Sequence, residues 1–341
     1  MAGSEENVKR HRVSLKDVAA EAGVGFGTVS RTLSGSGYVS DKTRKRVLDA
    51  ADRLGYRPNR LAAGLRSNRS HLVALLVPDY TNEFYSVGSV AAEQLLRASG
   101  YQLIIASSSN AAEERETIES IAEYHVDGIV RVPVDPDLEF KLNCPVVELN
   151  RRSNMAGVSA VVCDDASGFR ALTEKLISLG HRRIALIVGE EHYSTTRERT
   201  SGYLAAMQEL EDDEVQPMVL SGSFDSEWGR VATLKLLDED CPPTAIIAAS
   251  PRIASGTVAA CIARNISVPA DLSLASYSNP EWFDFYGEGI HSFVPPLEEM
   301  ARRAVETLLA RLENPDALSE TVMLPGETHR GGSIGAPSSR V

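Results

Sequence analysis

The chain has 341 residues, 43% of them hydrophobic, and a formal net charge of −12. That length is too great for one typical domain and suits two or three, and that apolar content fills real cores, so disorder is not the default reading. An evenly spread −12 would argue against nucleic acid, but residues 1–70 hold 14 Lys and Arg against 7 Asp and Glu, a net +7, which leaves −19 on residues 71–341. A small basic module able to neutralise phosphates thus precedes a body that DNA repels, the plain alternative being an ordinary solvated basic face.

Residues 14–66 show no strand-like alternation and predict short helices over Leu15–Ala22, Phe26–Leu33, Asp41–Leu54 and Asn59–Arg66. Ser40, with Asp41 in the first turn and Thr43 three residues on, marks a helix start; Gly55 closes that helix, and Pro58 opens the next. The first two helices flank Gly23-Val24-Gly25, with small Ala19 and Ala20 at the crossing and Val29 as the apolar lock, the spacing of a helix-turn-helix. Its second helix exposes Phe26, Gly27, Thr28, Ser30 and Arg31 to base edges and phosphates, with Ser14, Lys16, Ser40, Thr43 and Arg44 as further candidate DNA contacts. Two amphipathic helices around a glycine also occur in helical domains of other kinds.

From Leu72 onward, apolar runs alternate with amphipathic stretches. Strands are predicted at Leu72–Val77, Gln102–Ala106, Gly128–Val132, Val146–Leu149, Ala160–Cys163, Ile184–Val188, Met218–Leu220, Ala245–Ala249 and Leu272–Ser276. Helices are predicted over Phe84–Ser99, Ala111–His125, Ala166–Leu179, Thr196–Leu210, Glu227–Leu237, Ile253–Arg264 and Leu297–Leu312. Repeated strand–helix alternation means parallel sheets covered by helices on both faces, and some nine strands divide into two lobes at a break near Asn150–Gly157. Two lobes make a cleft where strand C-termini meet a ligand.

The runs Gly37–Leu48 and Leu54–Arg66, including Tyr56-Arg57-Pro58-Asn59, resemble the lactose-repressor (LacI) family. The resemblance implies a hinge helix in which Asn59 and Ala62 touch the minor groove and Leu65 wedges between base pairs, an assignment that flanking Arg60, Arg66 and Arg69 suit. Eight residues are too few for a helix stable by itself, so it should fold only when paired on DNA. Three positions depart from the family: Gly25 stands where a capping Ser is usual, and Phe26 and Gly27 occupy the main base-reading positions. Phe26 can meet a thymine methyl and Gly27 offers nothing, so specificity should lean on Phe26, Arg31 and DNA deformability.

The resemblance runs on through Val77–Tyr85, Val126–Val130, Asp164–Gly168, Gly180–Gly189 and Arg197–Tyr203, implying an α/β, two-lobed core like a periplasmic binding protein. The expected domains are a helix-turn-helix headpiece at 1–57, a hinge and linker at 58–70, and an effector and dimerisation domain at 71–341. Within the last, lobe 1 covers 71–160 and 295–319 and lobe 2 covers 161–291 and 321–341. The resemblance assigns Asp79, Phe84, Tyr85, Arg199 and Phe224 to the cleft, with Arg199 as the polar anchor, and adds Tyr193, Thr195 and Arg197 from one loop. Plain lobe packing is the other reading of the aromatics. Asn150-Arg151 replaces the family's common Asp-Arg, Ser250-Pro251 its Asn-Asp, Ser278 an Asp and Pro295 a Gln. So many lost carboxylates disfavour a neutral monosaccharide, because buried hydroxyls need acceptors, and leave a different ligand, an anionic one among them, or another mode of control.

An enzyme would need a constellation that this sequence lacks. Gly331-Gly-Ser-Ile-Gly335 matches a nucleophile elbow in letters but has no helix after it, His181 and His192 have no metal-ligand spacing, Glu190-Glu191 reads as a solvated loop, and no phosphate or dinucleotide fingerprint is present. No cofactor or metal is expected. Cys144, Cys163, Cys241 and Cys261 read as reduced core residues; no run reaches the ~18 apolar residues of a membrane span, and Met1–Arg12 lacks an apolar signal core. The expectation is a cytoplasmic homodimer on a double-stranded DNA operator, most readily a repressor, answering to a small-molecule effector. A solute-binding protein is the distant alternative, and the absence of a leucine-heptad tail after Val322 argues against a coiled-coil tetramer.

Overall fold

The computed structural model describes residues 13–34, 37–57, 69–210 and 216–338. The expected hinge helix, with Asn59, Ala62 and Leu65, lies outside the described residues. The chain divides into two compact units, Met1–Ser70 and His71–Val341.

In the first unit, α1 (Leu15–Ala22), α2 (Phe26–Ser34) and α3 (Asp41–Leu54) close over Val18, Ala22, Val29, Val47, Ala50 and Ala51. A capping box starts α1: the Ser14 Oγ accepts from the Asp17 amide, and Asp17 Oδ2 accepts from the Ser14 amide at 2.8 Å. Gly23 ends it at φ +60°, its N–H reaching the Ala19 and Ala20 carbonyls, a conformation that a Cβ would strain. Gly55 at φ +63° ends α3 in the same way.

The second unit is built on two six-stranded sheets. The first has the order β11-β5-β4-β3-β1-β2 and every pairing in it is parallel: β1 (Leu72–Val77), β2 (Gln102–Ser107), β3 (Gly128–Arg131), β4 (Val146–Leu149), β5 (Ser159–Cys163) and β11 (Thr321–Leu324). The second has the order β12-β10-β9-β8-β6-β7: β6 (Ile184–Val188), β7 (Met218–Ser221), β8 (Ala245–Ala248), β9 (Ser273–Tyr277), β10 (His291–Val294) and β12 (Glu327–His329), with only β10–β12 antiparallel. The connecting helices are α4 (Glu83–Ala98), α5 (Ala111–Glu123), α6 (Asp165–Ser178), α7 (Ser194–Gln208), α8 (Ser226–Leu237), α9 (Pro251–Ala263) and α10 (Leu297–Glu313). Strands covered on both faces are apolar throughout, as in β6 (Ile-Ala-Leu-Ile-Val), where every residue is buried. Close helix contacts rest on glycine: a Cβ on Gly202 of α7 would stand 2.0 Å from the Ala166 carbonyl oxygen of α6.

The expected lobe boundaries need correcting. The segment after Asn150 is a connection within the first sheet, because β5 pairs with β4 through Leu149↔Val161, so the first crossing follows Cys163. The last crossing lies between Leu324 and Glu327, because β11 joins β5 through Thr321↔Ala160 and only β12 reaches the second sheet. Strands β10, β11 and β12 were not predicted: they are short, and polar or exposed residues break up the apolar signal. Cys241 is exposed rather than a core residue, while Cys163 and Cys261 are buried. Among the described residues no helix is long and apolar enough to cross a membrane.

Candidate functional site

Parallel sheets direct their strand C-termini and the following helix N-termini toward one edge, and in the second unit those edges of the two sheets face each other. The cleft between them holds a cavity of about 120 Å³ lined by Pro78, Asp79, Asn82, Phe84, Tyr85, Asn150, Arg151, Thr195, Arg199, Phe224, Ser250, Pro251, Arg252 and Tyr277. A neighbouring cavity of about 370 Å³ shares Asn82, Phe84, Pro251 and Arg252 with it and extends past Ser278 and Trp282.

Arg199, 3% exposed, is held from three sides. Its Nε donates to Asp165 Oδ2 at 2.7 Å, its Nη1 donates to the Ala249 carbonyl at 2.6 Å, and its guanidinium carbon lies 3.7 Å from the Tyr277 ring centroid. Burial pushes the Asp165 carboxyl up while Arg199 pulls it back, and Asp165 in turn keeps Arg199 firmly protonated against its own burial. Arg151 lies 3.6 Å from the Tyr193 ring centroid and 5.4 Å from that of Phe224. Asn150 and Ser278 both adopt φ of +66° at strand ends facing the cleft, local strain of the kind that functional sites concentrate.

Direct bonds join the lobes across the cleft. Arg252 at the start of α9 pairs with Asp79 after β1 at 2.6 Å and donates to Thr81 Oγ1 at 3.2 Å. Burial raises the Asp79 carboxyl, but its bonds from Thr81 and Arg252 hold it below its ordinary value. Arg152 pairs with Glu198 at 3.1 Å, and its amide donates to Ser194 Oγ.

On the first unit, α2 exposes Phe26 (44%), Gly27 and Arg31 while Val29 is fully buried. A Cβ on Gly25 or Gly27 would meet nothing within 4 Å, so the start of this helix is a bare ledge with one aromatic on it.

Residues 14–59 match the bacterial regulatory proteins of the lacI family, and residues 173–334 match the periplasmic binding protein-like domain. A transcription regulation repressor of the LacI family from Corynebacterium glutamicum is 35% identical, with a TM-score of 0.69, covering 77% of this chain and 98% of its own. This chain belongs to the lacI family. The ribose operon repressor of Haemophilus influenzae is 29% identical over 91% of this chain and 95% of its own length. The lac repressor dimer bound to operator and the anti-inducer ONPF shares the fold at 24% identity and a TM-score of 0.84, covering 96% of this chain and all of that one. The family is one of DNA-binding transcriptional regulators, not enzymes.

Of the residues expected at the cleft of this family member, Asp79, Phe84, Tyr85, Asn150, Arg151, Thr195, Arg199, Phe224 and Ser250 line the inner cavity. Tyr193 stands behind Arg151, and Ser278 lines the outer cavity. Arg197 is a correction: it is exposed and clamps its own loop, its Nη1 donating to the His192 carbonyl at 2.6 Å, because Thr195 and Arg199, four apart, share one helix face and Arg197, two positions from each, points away from it. Arg252 and Tyr277 were missed. The Ser250-Pro251 start of a helix was the available signal for Arg252; nothing local distinguishes Tyr277 from a core residue. On the headpiece, Lys16 and Arg31 are exposed, Thr28, Ser30, Thr43 and Arg44 half-buried, Ser14 is the α1 cap, and Ser40 donates to Thr43 Oγ1 at 3.0 Å. The elbow-like Ser333 is 3% exposed and donates to the Leu274 carbonyl while accepting from the His291 amide, a bolt between strands rather than a nucleophile. His181 is likewise held by Thr244, Ser273 and the Gly335 carbonyl.

Proposed function

We propose that the protein is a repressor that binds a pseudo-palindromic operator as a homodimer and releases or tightens its grip when a small hydroxylated metabolite enters the interlobe cleft. The observation that carries this reading is the cavity at facing strand ends, bridged by Asp79–Arg252 and floored by Arg199, in a chain whose other unit is a helix-turn-helix. A ligand that favours one lobe arrangement shifts DNA affinity by the difference in its affinity for the two arrangements, typically about 1–3 kcal/mol. In this reading the recognition helix contacts bases with Phe26 and Arg31, with Lys16, Thr28, Ser30, Thr43 and Arg44 on the backbone, and the segment with Asn59, Ala62 and Leu65 serves the minor groove.

Dimerisation is supported by apolar side chains without cover on the first lobe: Val87 and Val90 on α4 and Ile105 on the edge strand β2. The cytoplasm, where its DNA lies, is the compartment that this function requires.

The test is operator selection from random duplexes at ~150 mM salt, followed by affinity measurement on wild-type protein and variants. The expected outcome is a two-fold symmetric site, bound by dimers, with Phe26→Ala weakening it and Phe224→Ala preserving it while abolishing the metabolite response. No sequence preference would sink the regulator reading, and a full response in Phe224→Ala would displace the effector site.

A further inference from the structure

Among the described residues of the second unit three arginines are deeply buried, and two of them are neutralised. Arg131, fully buried, pairs with Glu114 at 3.3 Å and Glu148 at 3.0 Å; Arg199 pairs with Asp165. Arg151 is 6% exposed, yet no ion pair among the described residues includes it. Its Nη1 donates to the Pro133 carbonyl at 3.3 Å, and its Nε has no partner. Stacking on Tyr193 offsets part of the cost of burying this guanidinium, but no carboxylate balances its charge, a burden tolerated where a ligand supplies the missing anion.

The surroundings point the same way. Among the cavity-lining residues, Arg151, Arg199 and Arg252 face the single carboxylate of Asp79, and Asp165 beneath them forms its ion pair with Arg199, which leaves an excess of positive charge. Helix α7 begins at the same place, with Thr195 on the wall, and its N-cap residue Tyr193 makes no side-chain cap bond. Beside Arg151, the buried Asn150 Oδ1 also lacks a partner and calls for a donor.

We propose that the effector is an anion, a carboxylate or phosphate borne on a hydroxylated carbon frame, whose charged group docks on the Arg151 guanidinium while a hydroxyl donates to Asn150. The assignment rests on the cleft being the effector site. Arg151 is the residue that discriminates charge, since Arg199 is already occupied by Asp165 and Ala249.

The experiment is a thermal-unfolding titration of the full chain at constant ionic strength with inorganic phosphate, D-gluconate, D-glucose 6-phosphate and neutral D-glucose. At least one anion raises the melting temperature saturably, by ~3 °C or more, and D-glucose does not. Arg151→Gln loses that rise, Arg151→Lys keeps a weakened one, and Arg302→Gln, on the exposed arginine of α10, keeps it in full. Gluconate and glucose 6-phosphate separate the carboxylate from the phosphate form. In the absence of ligand, Arg151→Gln melts no lower than wild type, because the loss of its stack on Tyr193 is offset by removal of a buried charge that no carboxylate balances. The proposal is overturned if no anion gives a saturable rise, if Arg151→Gln retains it, or if the unliganded variant melts several degrees lower, which would make the guanidinium structural. A rise with D-glucose that Phe224→Ala abolishes overturns only the anionic group and leaves the cleft reading intact. A rise indifferent to both Arg151→Gln and Phe224→Ala fails both.

Discussion

Two buried residues show how position decides what a titratable side chain does. Arg199→Ala would leave Asp165 as an unpaired buried carboxylate, and urea denaturation should show a loss of about 3–5 kcal/mol. The double variant Arg199→Ala/Asp165→Ala should lose less than the two single variants added together, because the orphan charge is gone. This coupling also makes Arg199 a poor single test of ligand binding. His291, 5% exposed, has its ring pushed from 6.5 down to about 4 by burial and by the neighbouring Lys175, His329 and Arg330. Its folded form therefore binds fewer protons than the unfolded chain between those values. The resulting stability is present above pH 6.5 and falls as pH drops toward 4, by at most about 1.4 kcal/mol per unit. Denaturation at pH 7 and pH 5 should show this loss, and His291→Asn should flatten it; equal slopes would refute the role. Neither pairing is visible in the sequence, since Asp165 and Arg199 are far apart in the chain and His291 sits in a strand that polar residues disguise.

At the level of elements, periodicity and punctuation were enough wherever a helix or strand had a long, one-sided pattern. Gly23 and Gly55 were readable as helix ends because only a residue without a Cβ takes positive φ there cheaply, and both do. The recognition helix was equally legible, down to its bare start. Gly27 lies in helix with open space around its Cα, so Gly27→Ala should raise headpiece stability by about 0.5–1 kcal/mol and, measured by operator selection, change base preference. An unchanged preference would show that this end of the helix does not face bases. What local pattern could not reveal was direction within a short segment: Thr195, Arg197 and Arg199 share one helix, yet only the first and last line the cavity.

The whole molecule adds the bridge across the cleft. Asp79 and Arg252 are both partly exposed, so Arg252→Gln should change unfolding stability by no more than about 1 kcal/mol. It should nevertheless widen the distance between spin labels placed on the two lobes and alter effector affinity, because closure without ligand would lose its direct link. Unchanged label distances would mean that sheet packing alone sets the closure. By itself, the sequence determined the family, the helix-turn-helix, the parallel α/β body and most of the cleft wall, because these depend on local periodicity, caps and motif residues that sit next to each other. Only the tertiary structure decided which strands close each sheet, that Arg252 reaches Asp79, and that Arg151, alone among the deeply buried arginines of the described residues, lacks a carboxylate. Strand pairing and charge compensation join residues distant in the chain, and no local pattern records who a buried charge's neighbour will be.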